Sequence, residues 1–149
     1  MTEFPLRINY IDKIISSCVR PIVELKLNST FLTASECLVI AGNPKARDMR
    51  LLDLSCNPIT ATGLFNLCHP HRSCFEKLTS LSLFNCEIDY TQAYLISNDN
   101  LDVKCRFALR SLNLSYNNLS FFINYVTELG LLNPLLQHLQ LVNCALDDE

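Results

Sequence analysis

One short run carries the residue types of a metal site. Cys68-His69-Pro70-His71-Arg72-Ser73-Cys74 places two Cys and two His within seven residues, and thiolate and imidazole are the usual ligands of tetrahedral zinc. The spacing argues against that use. Cys68 and His69 are adjacent and would have to converge with His71 across Pro70, and no second C-x-x-C supplies the other half of a site. Cys105 precedes Leu109 by the same four residues that separate Cys74 from Leu78, which makes Cys74 a repeated structural position. Nucleophilic catalysis would need a Cys or Ser beside a His and an orienting acid. Of His69, His71 and His138, only His138 falls on an expected strand face, and no matching nucleophile sits beside it. A phosphate-cradling loop needs glycines, and the chain has three. The expectation is a chain without catalytic, metal-ligating or cofactor-binding residues, not an enzyme, and with no cofactor.

Recognition by an exposed surface remains, and that surface depends on a repeated element. The phrase L-x-x-L-x-L-x-x-N/C-x-L fits from Met49 through Leu52, Leu54 and Asn57 to Ile59. It fits again from Leu78 to Cys86 and Ile88, from Leu109 to Asn117 and Leu119, and from Leu136 to Cys144 and Leu146. A weaker copy runs from Ile22 through Leu25, Leu27 and Thr30 to Leu32. This is the leucine-rich repeat signature. Leu-x-Leu alternates apolar and polar residues and reads as a short strand with one buried face. The ninth position, Asn57, Cys86, Asn117 or Cys144, falls where the chain turns out of the strand. There a side chain can pair backbone groups that would cost about 1–3 kcal/mol each if buried unpaired; Thr30 can do so less fully.

The segments between phrases read as helices: Ser35 to Ile40, Thr60 to Cys68 with a Thr start, Thr91 to Ile96, and Ser120 to Leu129. Leu6 to Ile15 has apolar residues at helical intervals and reads as a helix or cap before the first strand. The phrases start at 22, 49, 78, 109 and 136, so the steps are 27, 29, 31 and 27 residues, long enough for a full helix on the outer side. The organisation expected is an N-terminal helix or cap over 1–21, then five repeats over 22–149, the last incomplete.

The long repeats, the alternation Asn57, Cys86, Asn117, Cys144, and Leu67-Cys68-His69-Pro70 followed by Cys74 and Leu81-Ser82-Leu83-Phe84-Asn85-Cys86 resemble the ribonuclease-inhibitor-like class of leucine-rich repeat proteins. The resemblance covers about residues 20 to 149. It implies an α/β fold: a right-handed leucine-rich-repeat solenoid with parallel strands on the concave face and helices on the convex face. It is unspecific for function. The class includes inhibitors, innate immune sensor domains, Ran GTPase activators, actin-capping proteins, ubiquitin-ligase substrate receptors and ciliary scaffolds.

In such a solenoid, equivalent strand positions line up as columns. One is Lys26, Asp53, Ser82, Asn113, Gln140; the next is Asn28, Ser55, Phe84, Ser115, Val142; beside it run Ser29, Cys56, Asn85, Tyr116, Asn143; outside lie Glu24, Leu51, Ser80, Ser111, His138. Aromatics amid small polar residues suit a protein-binding patch. The candidate partner-binding residues are Leu51, Asp53, Ser82, Phe84, Asn113, Tyr116, His138 and Gln140.

Composition sets the bounds. Hydrophobic residues make up 49% and charged ones 18%, which suits repeats sharing one continuous core. Net charge is −3, with no basic patch, so nucleic acid is not an expected partner. No apolar run approaches a membrane span, and the start, Met1-Thr2-Glu3-Phe4-Pro5, lacks the charged and apolar regions of a signal peptide. The eight cysteines are therefore expected as free thiols in a reducing, cytoplasmic setting, a cytoskeletal or ciliary assembly included. Cys86 and Cys144 belong to the repeat, Cys56 to the concave strand face, and Cys18, Cys37 and Cys68 to helical apolar faces. Sequons occur at Asn28, Asn113 and Asn118, the first two within expected strands.

The final phrase is followed only by Asp147-Asp148-Glu149. That leaves Leu136, Leu139 and Leu141 beside an open parallel edge, which proteins normally cover. A partner, further repeats or self-association would cover it. The function expected is a non-enzymatic protein–protein interaction module or assembly scaffold, with protein partners and without membrane. The alternative is a substrate-recognition or regulatory subunit, resembling a ubiquitin-ligase receptor or a GTPase regulator.

Overall fold

The structure, a computed structural model, describes residues 3–69, 72–89, 105–120 and 123–146. Helix α1 spans Glu3–Ser17, and strand β1 Glu24–Lys26 follows it. Helix α2 (Ala34–Gly42), a 3₁₀ turn (Pro44–Ala46), β2 (Leu51–Asp53) and α3 (Thr60–Cys68) come next. Strand β3 (Ser80–Ser82), β4 (Ser111–Asn113), helix α4 (Ile123–Glu128) and β5 (His138–Gln140) complete the described elements. The strands form one parallel sheet in the order β1-β2-β3-β4-β5. Register runs position for position, with Leu25 beside Leu52, Leu52 beside Leu81, Leu81 beside Leu112 and Leu112 beside Leu139. Parallel neighbours need a crossover, and α2 and α3 provide it between their strands.

The three inner strands alternate. Leu52, Leu81 and Leu112 are buried at the middle position, while their neighbours are half-buried. The sixth-position residues Leu54, Leu83 and Leu114 and the eleventh-position Ile59, Ile88 and Leu119 complete the same core. From α2 and α3 come Cys37, Ile40, Leu64 and Leu67. Gly63 lets these two helices approach: a Cβ there would meet Cys37 Sγ at 3.3 Å and, at the N-cap of its own helix, Ile59 Cγ2 at 2.3 Å. At the sheet's ends the pattern fades, with Leu25 half-buried in β1 and all of β5 exposed.

Several expectations need correction. Helix α2 starts one residue earlier than Ser35 because Thr33 and Glu36 close its N-terminus. The Glu36 carboxylate accepts the Thr33 N–H at 2.8 Å and the Thr33 hydroxyl at 2.5 Å. Thr33-x-x-Glu36 is a legible capping signal. Thr60 does not cap α3: Ile59 is the N-cap residue and makes no side-chain bond, while Thr60 itself has φ 66°. Helix α4 is shorter than the expected Ser120 to Leu129 span; Ser120 bonds Asn118 in a turn. Cys18 lies just past α1, half-buried, not on its apolar face. Asn28 and Cys56 lie in turns after β1 and β2, because each strand is three residues long. The expected helix Thr91 to Ile96 lies outside the described residues. Among the described residues, no helix is long and apolar enough to cross a membrane.

Candidate functional site

The ninth-position side chains build the joints between repeats. Asn117, 5% exposed, accepts the N–H of Cys86 at 3.0 Å and of Ile88 at 3.1 Å through Oδ1. Its Nδ2 donates to Leu83 O at 2.8 Å and Leu114 O at 2.9 Å. Asn57 repeats this one pair of repeats earlier: Oδ1 accepts the Thr30 and Leu32 N–H groups, and Nδ2 donates to Leu27 O and Leu54 O. The cysteines do half of that work. Cys86 Sγ donates to Leu54 O at 3.2 Å, and Cys144 Sγ to Leu114 O at 3.2 Å. Thr30 turns its hydroxyl to its own Leu27 O at 2.7 Å.

These joints fix the solvent face of the sheet. Phe84 and Tyr116 stack across neighbouring repeats, ring centroids 5.0 Å apart and tilted by 51°. Tyr116 is exposed and Phe84 half-buried. Position eight is left-handed in every repeat: Ser29, Cys56, Asn85, Tyr116 and Asn143 have φ between 51° and 61°. An L-residue pays about 1–2 kcal/mol there, so Tyr116 is held in a conformation that asparagine adopts more readily. Beside the rings runs a polar network: Asp53 Oδ1 accepts the Ser55 N–H at 3.0 Å and hydroxyl at 2.6 Å, and Ser55 Oγ meets Ser82 Oγ at 2.8 Å. Asn113 Oδ1 accepts the Ser115 N–H at 3.0 Å. Buried Ser115 accepts the Val142 N–H at 3.0 Å.

Thus Asp53, Ser82, Phe84, Asn113 and Tyr116 come together on one face. Leu51 sits at its β2 border, half-buried, and His138 and Gln140 lie exposed on β5. Sequence reasoning missed Ser55 and Ser115 as organisers of this face; both occupy the seventh phrase position, which a strand-only reading treats as free surface. Two recesses, of about 670 and 370 Å³, open elsewhere. The first is lined by Asp12, Ser16 and Asn43 among others, the second by Arg20, Arg50 and Lys77.

Among the described residues no group of three His, Cys, Asp or Glu could hold a metal ion; His71 lies outside them. His69 packs edge-on against Phe65, centroids 5.3 Å apart. The Cys68 thiol hydrogen-bonds Cys105, and that bond with burial holds it protonated well above the usual thiol range. The same bond lowers Cys105, whose Sγ also donates to Leu129 O at 2.8 Å. All eight cysteines are free thiols. Burial pushes Cys37 far up and Cys86 up to about 12, where neither supplies a thiolate.

The Leucine Rich repeat family model matches residues 45–68 and 108–120. Both segments carry the asparagine-type phrase, around Asn57 and Asn117. Among curated proteins none matches the chain. With five parallel strands on five copies of the phrase, these matches support a leucine-rich repeat protein.

Proposed function

We propose that this chain is a non-enzymatic protein-interaction module or assembly scaffold of the ribonuclease-inhibitor-like class, working inside the cell. In this reading an N-terminal helix or cap over 1–21 precedes repeats that begin at 22, the crossovers wind right-handed as parallel crossovers nearly always do, and the concave sheet face docks a protein partner. Leucine-rich repeats generally mediate protein–protein interaction, and the family is typically non-enzymatic. The observation that carries the reading is the Phe84–Tyr116 pair, an aromatic anchor set among Ser82, Asn113 and Asp53. Binding hot spots favour such aromatics ringed by small polar groups.

The test places a photo-crosslinking residue at Gln140 on the sheet face or at exposed Thr62 on α3, in cells. Adducts are expected from position 140. The double substitution Phe84→Ala/Tyr116→Ala should weaken them about tenfold or more, the effect of losing roughly 1.4 kcal/mol. Adducts from position 62 alone, or adducts at 140 indifferent to the double substitution, would place the partner elsewhere.

A further inference from the structure

Folding gathers basic residues that the sequence scatters. Arg20 lies shortly before β1, Arg47 and Arg50 before β2, Lys77 before β3 and Arg110 directly before β4. All five are exposed. Because the strands run parallel, these approaches lie side by side along one rim of the sheet. The Arg50 N–H donates to Val23 O at 2.8 Å, the Thr79 N–H to Arg50 O at 3.0 Å and the Arg110 N–H to Thr79 O at 2.8 Å. Arg50 and Arg110 therefore stand in one column, two strand spacings or about 10 Å apart, with Thr79 between them. The opposite rim, where the chain leaves the strands, differs. Residues 28–32, 55–59, 84–88, 115–119 and 142–146 contain no Lys or Arg.

Two carboxylates share the basic rim among the described residues, and both are engaged. Lys77 Nζ meets Asp48 Oδ1 at 2.6 Å, and Arg47 Nε meets Glu76 Oε1 at 3.5 Å. Arg20, Arg50 and Arg110 make no ion pair among the described residues. Arg20, Arg50 and Lys77 line the recess of about 370 Å³ together with Pro21, Val23 and Asp48. Lys77, through its hydrogen bond and then its charge, holds the Asp48 carboxyl below the usual value, and Arg47 and Arg50 add to the effect. The recess is thus a positive field whose one carboxylate is already taken.

We propose that this rim docks an acidic segment of a protein partner, its Asp or Glu carboxylates taken by Arg20 and Arg50 in the recess and by Arg110 beyond Thr79. A guanidinium offers a planar fork that fits a carboxylate through two N–H groups. Val23, 47% exposed, and Pro21 give the segment an apolar surface between the charges. Nucleic acid fits less well. The chain as a whole carries −3, which opposes a long polyanion, and Asp48 and Glu76 would face its evenly spaced phosphates. The rim is separate from the aromatic pair, since Phe84 and Tyr116 follow their strands and the rim precedes them.

Fluorescence anisotropy of a labelled octaglutamate peptide titrated with the purified 149-residue chain tests it, with octaglutamine and an oligodeoxynucleotide of equal charge as comparisons. Octaglutamate should bind, octaglutamine should not, and binding should fade as salt rises from about 0.05 to 0.5 M. Arg50→Glu/Arg110→Glu should weaken it about tenfold or more. Lys13→Glu/Lys26→Glu makes the same change of charge at exposed positions off the rim and should weaken it less than about threefold. Asp48→Asn releases Lys77 and should strengthen binding about two- to fivefold, the worth of one exposed ion pair; a misfolded variant could not do so. Phe84→Ala/Tyr116→Ala should leave peptide binding unchanged, so the rim and the sheet face hold or fail independently. No binding at low salt overturns the proposal. So does equal loss in the two charge-reversed double variants, and an oligodeoxynucleotide bound more tightly than the peptide overturns the choice of a protein segment.

Discussion

Replacing Asn117 by alanine should cost about 2–4 kcal/mol of stability, mostly through two orphaned amides. The side chain is 5% exposed. Its oxygen takes the Cys86 and Ile88 N–H groups at 3.0 and 3.1 Å, and its nitrogen gives to Leu83 O and Leu114 O. A buried group left unpaired costs about 1–3 kcal/mol. Carbonyls, with a second lone pair, tolerate the loss better than N–H groups do. The two N–H groups therefore dominate, and water entering the vacated space offsets part of their sum. Urea unfolding followed by far-ultraviolet circular dichroism reads the effect as a lower midpoint at unchanged slope. Two further variants separate donor from acceptor. Asn117→Cys keeps a donor of the kind Cys86 uses toward Leu54 O but accepts neither N–H, so it should fall close to alanine. Asn118→Ala, one residue on and exposed, should change stability by less than about 0.5 kcal/mol. A loss under about 0.5 kcal/mol for Asn117→Ala, or near-complete rescue by cysteine, would refute the argument that the oxygen's two acceptor bonds hold the joint.

Thr60 is a β-branched residue at φ 66° whose side chain caps nothing. Thr60→Gly should therefore stabilise the chain by about 0.5–1 kcal/mol, the relief of left-handed strain less the entropy glycine adds to the unfolded chain; a lower urea midpoint would contradict this. Cys86 makes a separate prediction at high pH. Burial raises its folded pKa from 9.0 to about 12, so the folded chain keeps a proton that the unfolded chain releases. Its contribution is fully present below pH 9 and is lost as pH rises from 9 to about 12. The urea midpoint should fall more steeply across that window for the parent chain than for Cys86→Ala; equal slopes would mean that the thiol is not desolvated.

The strands were legible because a phrase with period-two alternation and fixed apolar positions leaves little choice of face. Leu52, Leu81 and Leu112 are buried at the middle of β2, β3 and β4, and a one-residue slip would expose all three. Helix ends were less legible. At α2 the Thr33 to Glu36 pair decides the start, and a reading of apolar spacing alone passes over it. At α3 a threonine looks like a cap, yet Ile59 holds the N-cap position without a side-chain bond and the left-handed backbone of Thr60 carries the chain into the helix. The candidate face was readable as columns of residues. The Phe84–Tyr116 contact, and the bonds of the Ser55 hydroxyl to Ser82 and of the Ser115 hydroxyl to the Val142 N–H, depend on how far neighbouring turns approach, which spacing does not encode.

The ninth position governs more than its own hydrogen bonds. Where it is Thr or Cys, the next residue is left-handed: Phe31, Glu87 and Ala145 have φ of 59°, 56° and 51°. Where it is Asn, the next residue, Pro58 or Asn118, stays out of that region. The alternation has a mechanical reason. Backbone turns that enter the left-handed region gather successive N–H groups into a concavity that holds an oxygen. The left-handed Phe31 brings the Thr30 and Leu32 N–H groups onto Asn57 Oδ1, and Glu87 brings those of Cys86 and Ile88 onto Asn117 Oδ1. One type of turn makes the receptacle and the next type fills it, so the asparagine turn itself has no need to bend that way. This is why proline, with φ locked near −65°, is tolerated at position 58, directly after Asn57. The same residue at position 87 would forbid the conformation that presents both amides to Asn117. The spacing of the phrase builds the sheet, and the alternation within it decides which neighbour each turn can join.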